Sequence, residues 1–217
     1  MGRDKGLLDF GGVPLILHTA RLLESLVAEV NVVGSPSRYE SLGLHVISDM
    51  DHAQPLNGPD ILGIGPLAGI ATALAATHAP WNLIVACDLP YLSAKWLDWL
   101  LSRAVHSRGE AVIPRTERGV EPLAAVYRRD CGAPVAAALA HGVRKVSDAI
   151  AELRVELIYP REWHRIEPSE LILRNMNTPG DYEEARQWWS AKCSSENVHI
   201  RKPQQERKRR SVPPRRK

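Results

Sequence analysis

Apolar positions along the chain alternate between a helical spacing and short continuous runs. In "PLILHTARLLESLVAE" the residues Ile16, Ala20, Leu23 and Val27 recur on one face at a period near 3.6, and Pro14 stands where a first turn tolerates it, so the spacing predicts an amphipathic helix. "VNVVG" and "HVIS" follow as short β-branched runs, each the length of a strand. "GPLAGIATALAATH" is built of small residues that suit a closely packed helix. "LIVAC", residues 83 to 87, is apolar without interruption, which predicts a strand buried on both faces of a parallel sheet. Ser93 is placed to cap "AKWLDWLLSRAVHS", whose inner face is expected to be Leu97, Leu100, Leu101 and Ala104. "AVIP", "PLAAVY" and "VELIY" read as further strands, with "APVAAALA" helical between the last two. Strands alternating with helices in this way predict a three-layer α/β domain with a mostly parallel sheet.

Size and charge refine that picture. With 217 residues, 44% of them hydrophobic, the chain can bury one substantial core and no second large one. Residues 192–217 hold 10 Lys+Arg against 2 Asp+Glu, which leaves residues 1–191 with 18 basic and 23 acidic side chains. The expected organisation is therefore a domain over 1–191 and a basic, disordered tail over 192–217, since the tail has too few apolar residues to offset the entropy of ordering. No aromatic is interleaved with its charges to stack on bases, so no nucleic-acid partner is expected. No stretch approaches the roughly 18 apolar residues of a membrane span, and the start lacks a signal-peptide pattern, so a cytoplasmic protein is expected. Cys87, Cys131 and Cys193 are odd in number and widely spaced, which fits neither a disulfide framework nor a zinc site.

Candidate chemistry sits where the strands end. In an open α/β sheet, ligands bind beyond the carboxyl ends of the strands. Asp88 directly follows "LIVAC", and Pro90 ends the strand by withholding a ladder donor. A single carboxylate at such a rim suits Mg²⁺, which takes one or two carboxylates together with phosphate oxygens and water, although an Asp there also begins a turn or caps a helix. Gly65 and Gly69 in "GPLAG" open a helix whose N-terminal amides and dipole favour an anion, while glycines equally serve close helix packing. Lys5 near the start of the first helix is a point charge suited to a triphosphate, and equally an ordinary surface lysine.

In order along the chain, "MGRDKGLLDFGGVPLILH", "GPLAG", "VACDLPYL", "EPLAAVY" and "RNMNTPGDY" resemble the molybdenum cofactor guanylyltransferases, and the resemblance extends from Met1 to about Trp189. It implies a Rossmann-like nucleotidyltransferase of the glycosyltransferase-A type. It also implies transfer of GMP from GTP to the molybdenum-molybdopterin cofactor, with Mg²⁺ and release of pyrophosphate. On this resemblance Lys5 meets the nucleotide phosphates, Asp88 holds Mg²⁺, Asp49 lies on the guanine-nucleotide side, and Gly65 and Gly69 line the nucleotide. Arg3 and Asp4 orient the loop that carries Lys5, and Asn175 and Asn177 face the pterin, unless the "NMNTP" segment only caps the last helix. Molybdoenzymes or cofactor-handling proteins are the implied protein partners.

This chain departs from the family pattern in three places. The family opens with a buried strand and a Gly-rich loop that have no counterpart before Met1, so a start assigned too late is expected. "MDHAQPLNGPDILGI" after Asp49 is longer than usual, and Gly34 stands where the family often has Asn or Ser. Two alternatives carry different expectations: a molybdopterin cytidylyltransferase, distinguished by preference for CTP, and a non-catalytic nucleotide- or pterin-binding protein, distinguished by absence of metal-dependent pyrophosphate release.

Overall fold

The computed structural model describes residues 4–48 and 65–196. Helix α1 (Leu15–Glu24) leads to β1 (Val32–Gly34), α2 (Pro36–Tyr39) and β2 (Val46–Ser48). Then come α3 (Pro66–Ala76), β3 (Trp81–Val85) and α4 (Ala94–His106). The strands β4 (Ala111–Thr116), β5 (Gly119–Val120) and β6 (Ala124–Arg128) precede α5 (Gly132–Ala140) and α6 (Val146–Ile150). The chain continues through β7 (Val155–Ile158), α7 (Pro160–Trp163) and α8 (Pro179–Glu196). α8 carries helix into the first five residues of the segment expected to be a disordered tail.

Three layers form as the alternation predicts. On the larger sheet, Ala111, Ile113, Ala125 and Tyr127 pack with α3, α5 and α6, while Val112, Ala124, Val126 and Ile158 pack with α4 on the opposite face. All eight are fully buried, because alternate residues of a strand point to opposite faces and both faces are covered. α4 begins as expected, with the Ser93 hydroxyl accepting from the Trp96 N–H at 3.3 Å. Its fully buried face is Trp96, Leu97, Leu100 and Ala104; Leu101 is only half-buried and packs at the margin. α1 ends at Glu24, so Val27 lies beyond it rather than on its face.

The pairing corrects one expectation. β1 and β2 are parallel, and so are β4 and β7, but β3–β6, β6–β4 and β4–β5 are antiparallel. The reason is the connection from β4 to β6: residues 117–123 are too few for a crossover helix, so the chain must return as a hairpin. β3, β4 and β7 consequently point the same way, with β6 reversed between β3 and β4. "LIVAC" is thus a strand in register with an antiparallel neighbour, and its residues are half-buried rather than sealed on both faces.

A third apolar cluster positions the N-terminal segment. Phe10 is 1% exposed and lies with Leu15, Tyr91, Met176 and Ala185. Gly11 and Gly12, with φ of 68° and 84°, turn the chain there in a conformation that side chains resist, and the Phe10 N–H closes the turn on the Val13 carbonyl at 2.9 Å. α8 ties this turn down: Tyr182 donates to the Asp9 carbonyl at 2.9 Å, and Trp189 Nε1 donates to the Pro90 carbonyl at 3.0 Å. One helix therefore holds both the N-terminal turn and the loop after β3.

Candidate nucleotide-transfer site

Three segments far apart in sequence converge at the carboxyl end of β3. Lys5 Nζ donates to Asp88 Oδ2 at 2.8 Å and to Asn177 Oδ1 at 2.7 Å. Asp88 is held by its backbone as well, since the Met176 N–H donates to its carbonyl at 2.9 Å. This contact clamps the "NMNTP" segment to the "CDLP" loop. Two oxygens from different elements thus point at one cationic centre.

The lysine is itself positioned. Residues Lys5–Leu7 form a single 3-10 turn capped by Asp4, whose Oδ1 accepts from the Gly6 N–H at 3.0 Å. The other oxygen of Asp4 accepts from Tyr39 Oη at 2.7 Å and from Arg38 at 3.2 Å. Asp4 therefore does orient the loop, as expected. Burial together with the Asp4 carboxylate drives the Tyr39 hydroxyl well above the ordinary tyrosine range, so it stays a proton donor. Tyr39 and Arg38 gave no signal in the sequence, because a tyrosine in "SPSRY" meets Asp4 only when β1 folds back beside the N-terminal turn.

Gly65 is the N-cap of α3 and Gly69 lies on that helix. Gly65 precedes its first turn with φ of 85°, and Pro66 occupies the position where a missing N–H costs nothing. Gly69 faces a cavity of about 410 Å³ that Lys5, Tyr39, Cys87 and Asp88 also line. A Cβ built on Gly69 would meet no atom within 4 Å, so close packing is not what this glycine serves. Burial, then the neighbouring Asp88 and Asp4 carboxylates, push the Cys87 thiol up to about 11 and keep it protonated. Glu121, half-buried on the loop before β6, has its carboxyl raised by burial and by Asp88, while Thr116 donates to it at 3.1 Å.

The segment before α8 supplies that helix with its cap. Capping falls to Thr178 and Asp181: Thr178 Oγ1 accepts from the Asp181 N–H at 3.1 Å, and the Asp181 carboxylate accepts from the Thr178 and Asn177 N–H groups at 2.8 and 3.0 Å. The Thr178 hydroxyl, which donates to the same carboxylate at 2.8 Å, and then these N–H groups hold the Asp181 carboxyl far below the usual range. The Asn177 side chain is left for Lys5, whereas Asn175 is exposed and does not join the cluster. Arg3 and Asp49 lie outside the described residues. No group of three or more His, Cys, Asp or Glu side chains able to hold a metal occurs among the described residues. Asp88 and the Asn177 amide oxygen are hard donors of the kind that suit Mg²⁺ when phosphate oxygens and water complete the shell. Among the described residues no helix is long and apolar enough to cross a membrane.

Comparison with known proteins finds relatives over most of the chain. A probable molybdenum cofactor guanylyltransferase from Synechococcus elongatus is 34% identical over 188 residues, spanning 84% of this chain and 90% of the relative. The molybdenum cofactor guanylyltransferase of Pseudomonas aeruginosa is 30% identical over 180 residues, spanning 82% and 83%. Among solved structures, the molybdopterin-guanine dinucleotide biosynthesis protein A of Archaeoglobus fulgidus superposes with a TM-score of 0.70 at 22% identity, covering 88% of this chain and 92% of that one. The 2-C-methyl-D-erythritol 4-phosphate cytidylyltransferase of Thermus thermophilus superposes at 0.61 and 17% identity over 85% and 93%, a likeness of fold. Residues 1–155 match the MobA-like NTP transferase domain, and the chain belongs to that nucleotidyltransferase family.

Proposed function

We propose that this protein transfers GMP from GTP to the molybdenum-molybdopterin cofactor and releases pyrophosphate. The observation that carries the reading is the meeting of Lys5, Asp88 and Asn177 at the end of β3, in a chain about a third identical to guanylyltransferases over most of its length. Asp88, with Asn177 beside it, would hold Mg²⁺, which supplies charge neutralisation on the nucleotide phosphates. Lys5 binds phosphate oxygens and stabilises charge on the departing pyrophosphate. Asp4, fixed by Tyr39 and Arg38, keeps the Lys5 turn in place. Gly69 leaves room for the nucleotide beside α3, whose N-terminal turn at Gly65 offers a favourable dipole end to an anion. By resemblance, Asp49 serves the guanine side and Asn175 the pterin side.

No acid–base pair is needed. A phosphate monoester oxygen of the acceptor is already anionic at neutral pH, so the residues of the site align groups and offset charge rather than move protons. Residues 1–191 carry the reaction and 192–217 are dispensable for it. The test is pyrophosphate release with molybdenum-loaded molybdopterin, comparing GTP with CTP, each with Mg²⁺ and with chelator. Release that requires GTP and divalent metal is expected. A preference for CTP would transfer the protein to the cytidylyl class, and nucleotide binding without any release would make it a binding protein.

A further inference from the structure

The segment that carries Asn177 runs from the last 3-10 turn (Glu170–Leu173) to α8 and has no regular structure of its own. It leaves the turn extended, with φ of −88° and ψ of 118° at Arg174. A stretch without internal backbone bonds is placed by what grips it from outside. At its far end the Asn177 and Thr178 N–H groups donate to Asp181 of α8, and in its middle the Met176 N–H donates to the Asp88 carbonyl. At its near end Arg118 Nη2 donates to the Leu173 carbonyl at 3.1 Å, across 55 residues of sequence. No other hydrogen bond reaches this carbonyl among the described residues.

Arg118 reaches over from a tip that is fixed in turn. The pairs Arg115 with Val120 and Thr116 with Gly119 leave only residues 117 and 118 to close the hairpin between β4 and β5. Gly119 turns with φ of 136°, where a side chain would be strained. Thr116 Oγ1 accepts from the Arg118 N–H at 3.2 Å, and its own proton goes to the Gly119 carbonyl at 3.3 Å or the Glu121 carboxylate at 3.1 Å. The Glu121 N–H then donates to the Pro114 carbonyl at 2.8 Å. The root of this hairpin adjoins the transfer site. β3 and β6 pair Val85 with Ala124 and the Ala86 N–H with the Leu123 carbonyl, and the same register carried two residues further sets Asp88 opposite Glu121.

We propose that Arg118 is a positioning residue for the transfer site: from the hairpin tip it holds the Leu173 carbonyl, and through the segment that follows it sets the Asn177 amide oxygen on Lys5. The geometry makes this a short lever. Leu173 is four residues from Asn177, and with Leu173 and Met176 both tied, Asn177 Oδ1 stands 2.7 Å from Lys5 Nζ. Removing the guanidinium frees one end of that lever while the anchors at Asp88 and Asp181 remain, so the amide oxygen drifts without the segment unfolding. A planar guanidinium suits the task because its donors are held in a rigid fork, whereas an ammonium on a flexible stem orders the carbonyl less well. Neither Arg118 nor any residue of 173–177 lines the cavity beside α3, so nucleotide affinity is spared.

The kinetic arm of the test rests on the guanylyl-transfer reading, and a second arm does not. Arg118→Ala, Arg118→Lys, Asn177→Ala and the double alanine variant are compared in the full chain by pyrophosphate release from GTP, and the Asn177 side-chain amide is followed without substrate by ¹⁵N relaxation. Arg118→Ala should lower kcat about tenfold and leave KM for GTP within about twofold of the parent. Arg118→Lys should recover part of the loss, and the double variant should be no slower than Asn177→Ala alone. The Asn177 side-chain amide should become more mobile in Arg118→Ala. Parental kcat in Arg118→Ala, losses that multiply in the double variant, or unchanged amide relaxation would each overturn the proposal, and a lowered Tm beside them would leave Arg118 as a staple of the fold. If the parent chain releases no pyrophosphate, the guanylyl-transfer reading fails, and the amide relaxation still decides for or against Arg118.

Discussion

Replacing Asp88 by Asn keeps the shape of the side chain and removes one negative charge from the end of β3. The backbone anchor survives, because the bond from the Met176 N–H to the Asp88 carbonyl at 2.9 Å does not involve the side chain. The ion pair with Lys5 at 2.8 Å is lost; its side chains are 29% and 17% exposed, so water screens it and about 1 kcal/mol of stability is at stake. For a chain of this size that is a fall in Tm of about 2–4 °C. The effect on turnover is expected to be much larger, at least ~10²-fold in kcat, because the same carboxylate would hold the Mg²⁺ that offsets charge on the phosphates. The assay is pyrophosphate release from GTP, relative to the unaltered chain, with Mg²⁺ varied and Tm followed by circular dichroism. Lys5→Met should lose a similar factor. The double variant should lose little more than either single one, since both residues serve one charge-compensating unit. Unchanged turnover in Asp88→Asn, or strict multiplication of the two losses, would refute the shared site.

Other expectations separate stability from function. Gly69→Ala, in helix α3 with open space at its Cβ, should raise stability by up to ~1 kcal/mol yet weaken GTP binding, and calorimetry alongside thermal melts checks both signs. Tyr39→Phe removes the 2.7 Å bond to Asp4, at a cost of about 1.5 kcal/mol. It should lower kcat/KM by roughly tenfold through a displaced Lys5, whereas Tyr39→Phe kinetics matching the parent would remove Tyr39 from the positioning role. His18, 8% exposed with its Nε2 against the Phe10 carbonyl at 2.8 Å, has its pKa lowered by burial from 6.5, with Arg21 adding to the fall and Asp9 opposing it. The folded state therefore binds its proton less readily than the unfolded one, so stability contributed by neutral His18 is present above pH 6.5 and is lost as pH falls below it. Thermal melts from pH 7 to 5 should show this decline, and His18→Gln should flatten it.

Local pattern determined a good part of this protein. The runs at 83–87, 111–114 and 122–127 each supply residues of a strand, β3, β4 and β6, because apolar and β-branched residues fit a pleated surface, and Ser93 caps α4 because its hydroxyl reaches an N–H three residues on. Asp88 could be placed at a strand end for the same reason: a carboxylate and a proline after an apolar run mark where a strand stops. What the sequence by itself could not supply is whatever depends on pairing across distance. Strand direction was one such property, since only the short 117–123 connection, acting on strands already paired, reverses β6. The partners of Lys5 were another: Asp88 and Asn177 reach it from 83 and 172 residues away, and nothing in a lysine's neighbours encodes that. Tyr39 shows the same limit, as its bond to Asp4 follows from where β1 and α2 sit and not from its own surroundings. Covalent neighbours set φ, ψ and burial pattern, but a site made from three loops exists only once the helices and strands that carry them have packed, and here α8, through Tyr182 and Trp189, is the element that brings two of them together.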